Sequence, residues 1–240
     1  MNLPTFVLSC LLIVFSNHSF AQLSDLTVKV LDDLNINKED CEDLFSEKVL
    51  PYNKDLSVIV IPKIGEKEED MFSLDSYVVV VNNKSKKIQQ LYFESYTTSG
   101  WESDAIFINE ISIDTAPYLV QENKRAFGIV IHSRSMSRPN PYYSKYLSLY
   151  LPDGNNLQNI LKNFEIYSYG GETDMNCIAE IYSEDKTLIL SKTKTNNFID
   201  INVDVLHKKI ISKNCIETET STNSKQVLKF IDGSYKIQAQ

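Results

Sequence analysis

Short β-branched runs, separated by turn residues, most strongly restrict how this chain can fold. LSVIVIP (56–62) and SYVVVV (76–81) are nearly all apolar, which is typical of strands buried on both faces. Apolar and polar residues alternate in FIDINVDVL (198–206), which is typical of a strand with one buried face. Turn signals such as Pro-Asp-Gly (152–154) and Asp-Gly (232–233) separate such segments. The pattern predicts a mainly β fold: an antiparallel sandwich, a barrel-like sheet or a curved meander.

The residues before the first of these strands predict a short helical N-terminal region over 22–50. In NKEDCEDLFSEKVLP (37–51), Asn37 suits an N-cap, acidic residues fill the first turn, and Pro51 follows the end. The earlier piece 23–34 has leucines and valines at spacings that fit either a helix or a strand. The sequence leaves that piece open between the two.

The first residues of the chain predict export. MNLPTFVLSCLLIVFSNHSFAQ (1–22) has an apolar centre and small residues before a cleavage point after Ala21, which indicates a signal peptide over 1–21. The apolar run is shorter than the roughly 20 residues that span a bilayer, so we expect no membrane-spanning segment. A lipoprotein cleaved before Cys10 is the alternative. We expect a periplasmic or secreted protein whose mature chain, 22–240, forms a single mainly β domain.

The charge balance restricts the partners of such a protein. The formal net charge is −8, which argues against nucleic acid and favours a basic protein as partner. Only His132 and His207 remain after cleavage, and the sequence has no G-x-S-x-G, P-loop or zinc pattern. We therefore predict no catalytic residues, cofactor or metal site. Because a glycosidase needs only two carboxylates, the 32 acidic residues leave that one enzyme class open.

Three cysteines remain in the mature chain: Cys41, Cys177 and Cys215. An exported protein meets an oxidising environment, so one disulfide is expected. We favour Cys177–Cys215, because both residues lie at the edges of strand-like segments in the same C-terminal region. Spacing alone leaves the other two pairings open.

One stretch, HSRSMSRPNPYY (132–143), suggests a recognition surface. The chain has 24 Lys and Arg residues, but its only three arginines, Arg125, Arg134 and Arg138, lie in or beside this stretch. Pro139 and Pro141 stiffen the connection, and Arg and Tyr are common in recognition surfaces. The alternative is a structural loop in which the arginines hold backbone carbonyls.

Period-two alternation in the flanking strands predicts which side chains would form this surface. It places Phe127, Ile129 and Ile131 inside, and His132 and Arg134 outside with Tyr146 and Tyr150 of the next strand. The predicted partner-binding residues are Arg134, Arg138, Asn140, Tyr142, Tyr143 and Tyr146.

Several segments also resemble a family of uncharacterised exported proteins of Gram-negative bacteria over most of 51–237. They are TAPYLV (115–120), KRAFGIVIHSRSMSRPNPYYSKYLSLYLPDG (124–154), GGETDMNC (170–177) and LKFIDGSYK (228–236). The family often has Trp where this chain has Thr173, and it brings no catalytic residues to carry over.

We therefore expect a non-enzymatic periplasmic or secreted binding protein. A sharper version is an inhibitor or immunity protein whose acidic surface neutralises a basic cell-wall hydrolase. The alternative is a carboxylate-dependent hydrolase of cell-wall glycans. The oligomeric state stays open.

Overall fold

A computed structural model describes residues 23–69 and 71–238. The predicted signal peptide, its cleavage point after Ala21 and the alternative lipid site at Cys10 lie outside these residues. The described chain confirms the mainly β prediction: two antiparallel sheets follow one short N-terminal helix. No helix in the described ranges is long and apolar enough to cross a membrane.

The elements follow one another in simple order. The helix α1 (Asp25–Leu34) and a 3₁₀ turn (Lys38–Asp40) precede the first sheet. The five strands of that sheet are β1 (Ser46–Leu50), β2 (Asn53–Glu68), β3 (Met71–Asn82), β4 (Ile88–Glu94) and β5 (Glu102–Ser103), with the short helix α2 (Tyr96–Ser99) between the last two. The eight strands of the second sheet are β6 (Ile106–Gln121), β7 (Lys124–Ser135), β8 (Tyr142–Asp153), β9 (Asn156–Thr173), β10 (Ala179–Thr195), β11 (Phe198–Lys213), β12 (Ile216–Ile231) and β13 (Ser234–Ile237).

Strand order follows chain order in both sheets. The first sheet runs β1-β2-β3-β4, with β5 beside β3, and the second runs as a meander from β6 to β13. The second sheet divides at β10: the residues 179–185 pair with β9, whereas the remainder of β10 pairs only with β11. This division lets the far halves of β10–β13 fold over β6–β9.

Three apolar clusters hold the layers together. Between α1 and the first sheet lie Val30, Leu31, Ile59, Ile61, Val79 and Val81. Between the first sheet and β6–β9 lie Val58, Val60, Val78, Val80, Phe127, Ile129 and Tyr150. Between β6–β9 and β10–β13 lie Val130, Leu147, Leu149, Ile201, Val203 and Leu228. The apolar runs of β2 and β3 are therefore buried on both faces, as their composition predicts.

The N-terminal region is helical over 25–34, the piece that the sequence left open between helix and strand, and the helical prediction over 37–50 is wrong. Only the 3₁₀ turn forms there, and Ser46–Leu50 pairs with β2 as strand β1. Leu44 packs into the cluster between the two sheets, and its neighbour Phe45 packs towards α1. Adjacent side chains point to opposite faces in a strand but not in a helix. Tertiary packing therefore overrides the helical spacing of this segment.

The predicted hairpin of β7 and β8 forms, with the first sheet on one face and, away from the loop end, β10–β13 on the other. We call the face towards the first sheet the near side and the opposite face the far side. Phe127 pairs with Tyr150 and Ile131 pairs with Tyr146, so these four residues lie on the near side. The prediction that Tyr146 and Tyr150 share an outer face with His132 and Arg134 is therefore wrong. Tyr150 is fully buried, because the first sheet covers the near side.

The predicted disulfide between Cys177 and Cys215 is present. It joins the β9–β10 connection to the β11–β12 turn at the end of the second sheet. The backbone N–H of Cys215 also donates to the carbonyl of Cys177 at 3.3 Å. Cys41 is a free, partly buried thiol beside β2.

Candidate binding surface

The connection between β7 and β8 spans only residues 136–141 and is fixed at both ends. The Ser135 hydroxyl donates to the carbonyl of Asn140 and accepts from the N–H of Tyr142, both at 3.1 Å. The N–H of Thr173 donates to the carbonyl of Pro139 at 2.8 Å. Arg138 and Asn140 are exposed on this short, anchored loop.

The six predicted recognition residues do not lie on one face. Tyr142 and Tyr146 lie on the near side with Ser144, whereas Tyr143 lies on the far side with Arg134. Successive residues of a strand point to opposite faces, so one surface cannot use both Tyr142 and Tyr143. The predicted patch therefore divides into two candidate surfaces.

The far-side surface is centred on His132. Its Nε2 lies 2.9 Å from the Ser112 hydroxyl of β6, and its Nδ1 lies 2.8 Å from the Tyr143 hydroxyl of β8. Burial lowers the pKa of His132, while Glu110 raises it and Lys145 lowers it further. A neutral imidazole has one donor and one acceptor nitrogen, so the two hydroxyls satisfy both. The imidazole thereby joins three adjacent strands.

The neighbouring far-side groups also satisfy one another. The ammonium of Lys145 lies 5.7 Å from the ring centres of both Tyr143 and Tyr167, and these rings meet edge to face with centres 5.7 Å apart. The Arg134 guanidinium stacks over Phe107 at 5.2 Å. These cation–π contacts stabilise the partly exposed far side near the β7–β8 connection.

The third arginine has a structural role. Arg125 lies at the other end of β7, about 30 Å from Arg134 at 3.3 Å per residue. Its Nη2 donates to the carbonyl of Thr115 at 2.7 Å, and the guanidinium lies 4.1 Å from the Tyr52 ring centre. The alternative in which arginines hold backbone carbonyls is thus realised at Arg125, and the three arginines do not form one cluster.

The near-side surface is concave. A cleft of about 290 Å³ lies between the β5 segment and the near side of β6–β9, with Tyr142, Ser144 and Tyr146 on its wall. The Ser144 side chain is fully buried, and its hydroxyl has no hydrogen-bond partner among the described residues. The Tyr146 hydroxyl donates to Glu165 at 3.2 Å. A buried hydroxyl without a partner costs free energy, so Ser144 is an unsatisfied polar group beneath the wall of the cleft.

This cleft continues into two neighbouring depressions. Glu102 and Asp104 line both it and a cleft of about 280 Å³ that also holds Glu66 and Glu68. At the other end, Tyr142 lines a depression of about 410 Å³ with Tyr182, Glu184 and His207. We call this run the acidic groove, and define it by Glu66, Glu68, Glu102, Asp104, Tyr142, Ser144, Tyr146, Tyr182 and Glu184.

Most of the acidic groove was missed by sequence reasoning. Tyr142 and Tyr146 were predicted, but the carboxylates come from β2, the β5 segment and β10, which only tertiary packing brings together. Asn140 lies outside the groove, beside another depression, and Arg134 and Arg138 do not line it. A weak signal existed in the acids at 66, 68, 102 and 104, which are spaced by two as on one face of a strand.

No family model matches the chain, and no curated protein or solved structure is significantly similar to it. The function is therefore inferred from the structure alone.

Proposed function

We propose that this chain is an exported, non-enzymatic binding protein that receives a basic protein partner in the acidic groove. The observation that carries the proposal is the combination of Glu66, Glu68, Glu102 and Asp104 with the tyrosine-lined cleft beside them. The net charge of −8 attracts a cationic partner, and complementary charge speeds association. The Cys177–Cys215 disulfide is compatible with export.

Tyr142 and Tyr146 are suited to act as anchors. Tyrosine offers a large, rigid contact surface with a polar tip, and such residues carry much of the affinity in protein interfaces. Ser144 lies between them on the same side of the strand but is fully buried, so Tyr142 and Tyr146 supply the contact surface there. The exposed carboxylates contribute mainly orientation and association rate.

The sharper proposal is an inhibitor or immunity protein for a basic cell-wall hydrolase. The competing proposal, a glycan hydrolase, requires two carboxylates that flank the scissile bond. The two carboxylates that line the cleft beside Tyr142 and Tyr146, Glu102 and Asp104, come from one segment, whereas Glu66 and Glu68 line only the adjoining cleft. Binding of lysine and arginine side chains is the simpler use of such an arrangement.

The experiment uses mature protein purified from the periplasm of an expressing Gram-negative host. Mass spectrometry should show a chain that begins at Gln22, whereas a lipidated species that begins at Cys10 would contradict soluble export. Lysozyme serves as a basic cell-wall hydrolase, and an acidic protein of similar size serves as the negative probe. We expect salt-sensitive binding of lysozyme with loss of its activity on cell walls.

Matched variants locate the contact. The double substitution Glu102→Gln with Asp104→Asn should weaken lysozyme binding on the order of tenfold or more. The control Glu39→Gln with Glu122→Gln makes the same change in net charge at exposed positions outside the groove and should have little effect. Equal loss in both variants would show unspecific attraction and contradict the groove. Cell-wall hydrolysis by the chain alone would favour the enzyme.

A further inference from the structure

One edge of the second sheet is open. Strand β12 pairs with β11 over Ile216–Leu228, but β13 covers its other edge only from Leu228 onwards. The N–H of Gln238 donates to the carbonyl of Val227 at 3.0 Å, so the covered part begins there. All ten residues from Ile216 to Lys225 are exposed, and within residues 23–69 and 71–238 no strand pairs with their outer edge. The polar sequence ETETSTNSK (217–225), which is typical of an exposed hairpin end, agrees with this exposure.

The turn before β12 determines which backbone groups point outwards. Asn214 and Cys215 have φ angles of 53° and 60°, as in a two-residue type I′ hairpin loop. In such a hairpin the flanking pair, Lys213 and Ile216, exchanges its backbone hydrogen bonds, and the bonded pairs then alternate along the ladder. The residues whose N–H and C=O point to the open edge are therefore Glu217, Glu219, Ser221, Asn223 and Lys225.

This edge is complementary to itself. An antiparallel copy centred on Ser221 places Ser221 opposite Ser221, Glu219 opposite Asn223, and Glu217 opposite Lys225. All these residues carry outward backbone groups, so each facing pair can exchange two hydrogen bonds. The acidic end of each strand meets the basic end of the other, and this favourable pairing occurs twice because of the two-fold symmetry.

The other face of the same pairing is equally compatible. Thr218 lies opposite Ser224, and Thr220 lies opposite Thr222, which gives cross-strand contacts between hydroxyl-bearing residues. Shifting the centre to Glu219 places that carboxylate opposite itself, which is unfavourable. Glu217 and Glu219 therefore protect the edge against some shifted registers and permit the one centred on Ser221.

We propose that the partner of the β12 edge is a second copy of this chain, joined by antiparallel pairing of Ile216–Lys225 about Ser221 into one continuous sheet. The strand has no Pro, Gly or bulge over this range, so its edge is regular. The disulfide at Cys215 closes the turn that aligns its first residue. The pairing lies on the outer edge of β12, one strand beyond His207 of β11 at the end of the groove, and uses none of the residues that define the acidic groove.

Hydrodynamic measurements test the dimer directly. We expect sedimentation of the mature chain, from micromolar to submillimolar concentration, to show a monomer–dimer equilibrium. Ser221→Pro should abolish the dimer without unfolding the chain, because the N–H of Ser221 points away from β11 and proline removes only the outward donor. Ser221→Ala keeps the N–H and should keep the dimer. A wild-type chain that stays monomeric over this range, or a proline variant that still dimerises, overturns the proposal.

Charge reversal and cross-linking test the register. Lys225→Glu should weaken the dimer, and adding Glu217→Lys should restore it. The contact of Lys225 with Asp204, at 3.5 Å, is exposed and adds little to stability. Ser221→Cys should form an intermolecular disulfide, since Cα atoms of a hydrogen-bonded antiparallel pair lie about 5.5 Å apart. Thr218→Cys should not. Equal cross-linking of both variants, or no rescue by the double reversal, overturns this register.

Discussion

Tyr142 and Tyr143 are adjacent in the chain but serve opposite sides of the second sheet. Tyr142 lines the acidic groove, whereas the Tyr143 hydroxyl lies 2.8 Å from Nδ1 of His132 on the far side. The strand period of two thus separates the concave near side from a far side whose polar groups satisfy one another. A pair of substitutions one residue apart can therefore distinguish binding from support of the fold.

The far-side histidine predicts a pH dependence of stability. Burial lowers the pKa of His132 in the folded chain, so the unfolded chain, with an imidazole pKa of about 6.5, binds more protons as the pH falls. Stability from the neutral imidazole is present above about pH 6.5 and declines as the pH falls through the lowered folded pKa.

Urea unfolding of the wild type and His132→Gln, above and below about pH 6.5, measures this effect. The carboxylates contribute equally to both proteins, so the difference between their pH dependences isolates His132. The wild type should lose more stability on acidification than the variant. Identical pH dependences would contradict a depressed pKa at this site.

Arg125 should contribute more to the stability of the fold than Arg134 and Arg138. Arg125→Ala removes the hydrogen bond to the carbonyl of Thr115 and the contact with Tyr52, so we expect a loss of about 1–3 kcal/mol. Arg134→Ala with Arg138→Ala changes exposed side chains and should alter stability by no more than about 0.5 kcal/mol per site. Chemical denaturation of both variants measures the contrast, and a larger loss in the double variant would reverse the assigned roles.

The disulfide predicts a further loss of stability when it is removed. Cys177 and Cys215 are 38 residues apart, and the chain-entropy estimate for such a loop is about 3–4 kcal/mol. Cys177→Ala with Cys215→Ala should lower the unfolding free energy by up to this amount. Cys41→Ala is the control that removes only a free thiol. Peptide mapping without reduction should show the same pair, and a cross-linked Cys41 would contradict it.

The free thiol should be unreactive in the folded protein. Burial, with a smaller effect of Asp40, raises the pKa of Cys41 to about 11, so little thiolate is present near neutral pH. Iodoacetamide should therefore label Cys41 much more slowly in native protein than in urea. Equal labelling rates in the two conditions would show that the thiol is not held in this environment.

The strands were predictable because their composition reports burial directly. Val78–Val81 are all buried, since the side chains alternate between the α1 layer and the layer between the sheets. The prediction that Tyr150 points outwards was wrong. It assumed that only the leucine face of the strand is covered, so the tyrosine between two leucines was placed on the solvent side. The helical prediction for residues 37–50 was wrong for a related reason. Their apolar spacing fits a helix, but residues 46–50 pair with β2 and form a strand.

The groove was predictable only in part. Tyr142 and Tyr146 could be named because they follow the proline-stiffened loop, but nothing local joins them to Glu66 or Glu102. Those carboxylates reach the same surface through the packing of the first sheet against the second. Contacts between residues far apart in sequence depend on topology, which a single sequence with no repeat or recognised motif does not specify.

The central claim is tested most directly by calorimetry of lysozyme binding. The measurement compares the wild type with Tyr142→Ala and Tyr143→Ala. Thermal melting of each variant first establishes that it is folded. We predict that Tyr142→Ala weakens binding on the order of tenfold or more, because an anchor in the acidic groove is lost, while Tyr143→Ala binds like the wild type. Unchanged binding by Tyr142→Ala, or a larger loss in Tyr143→Ala, would contradict the acidic groove as the recognition surface.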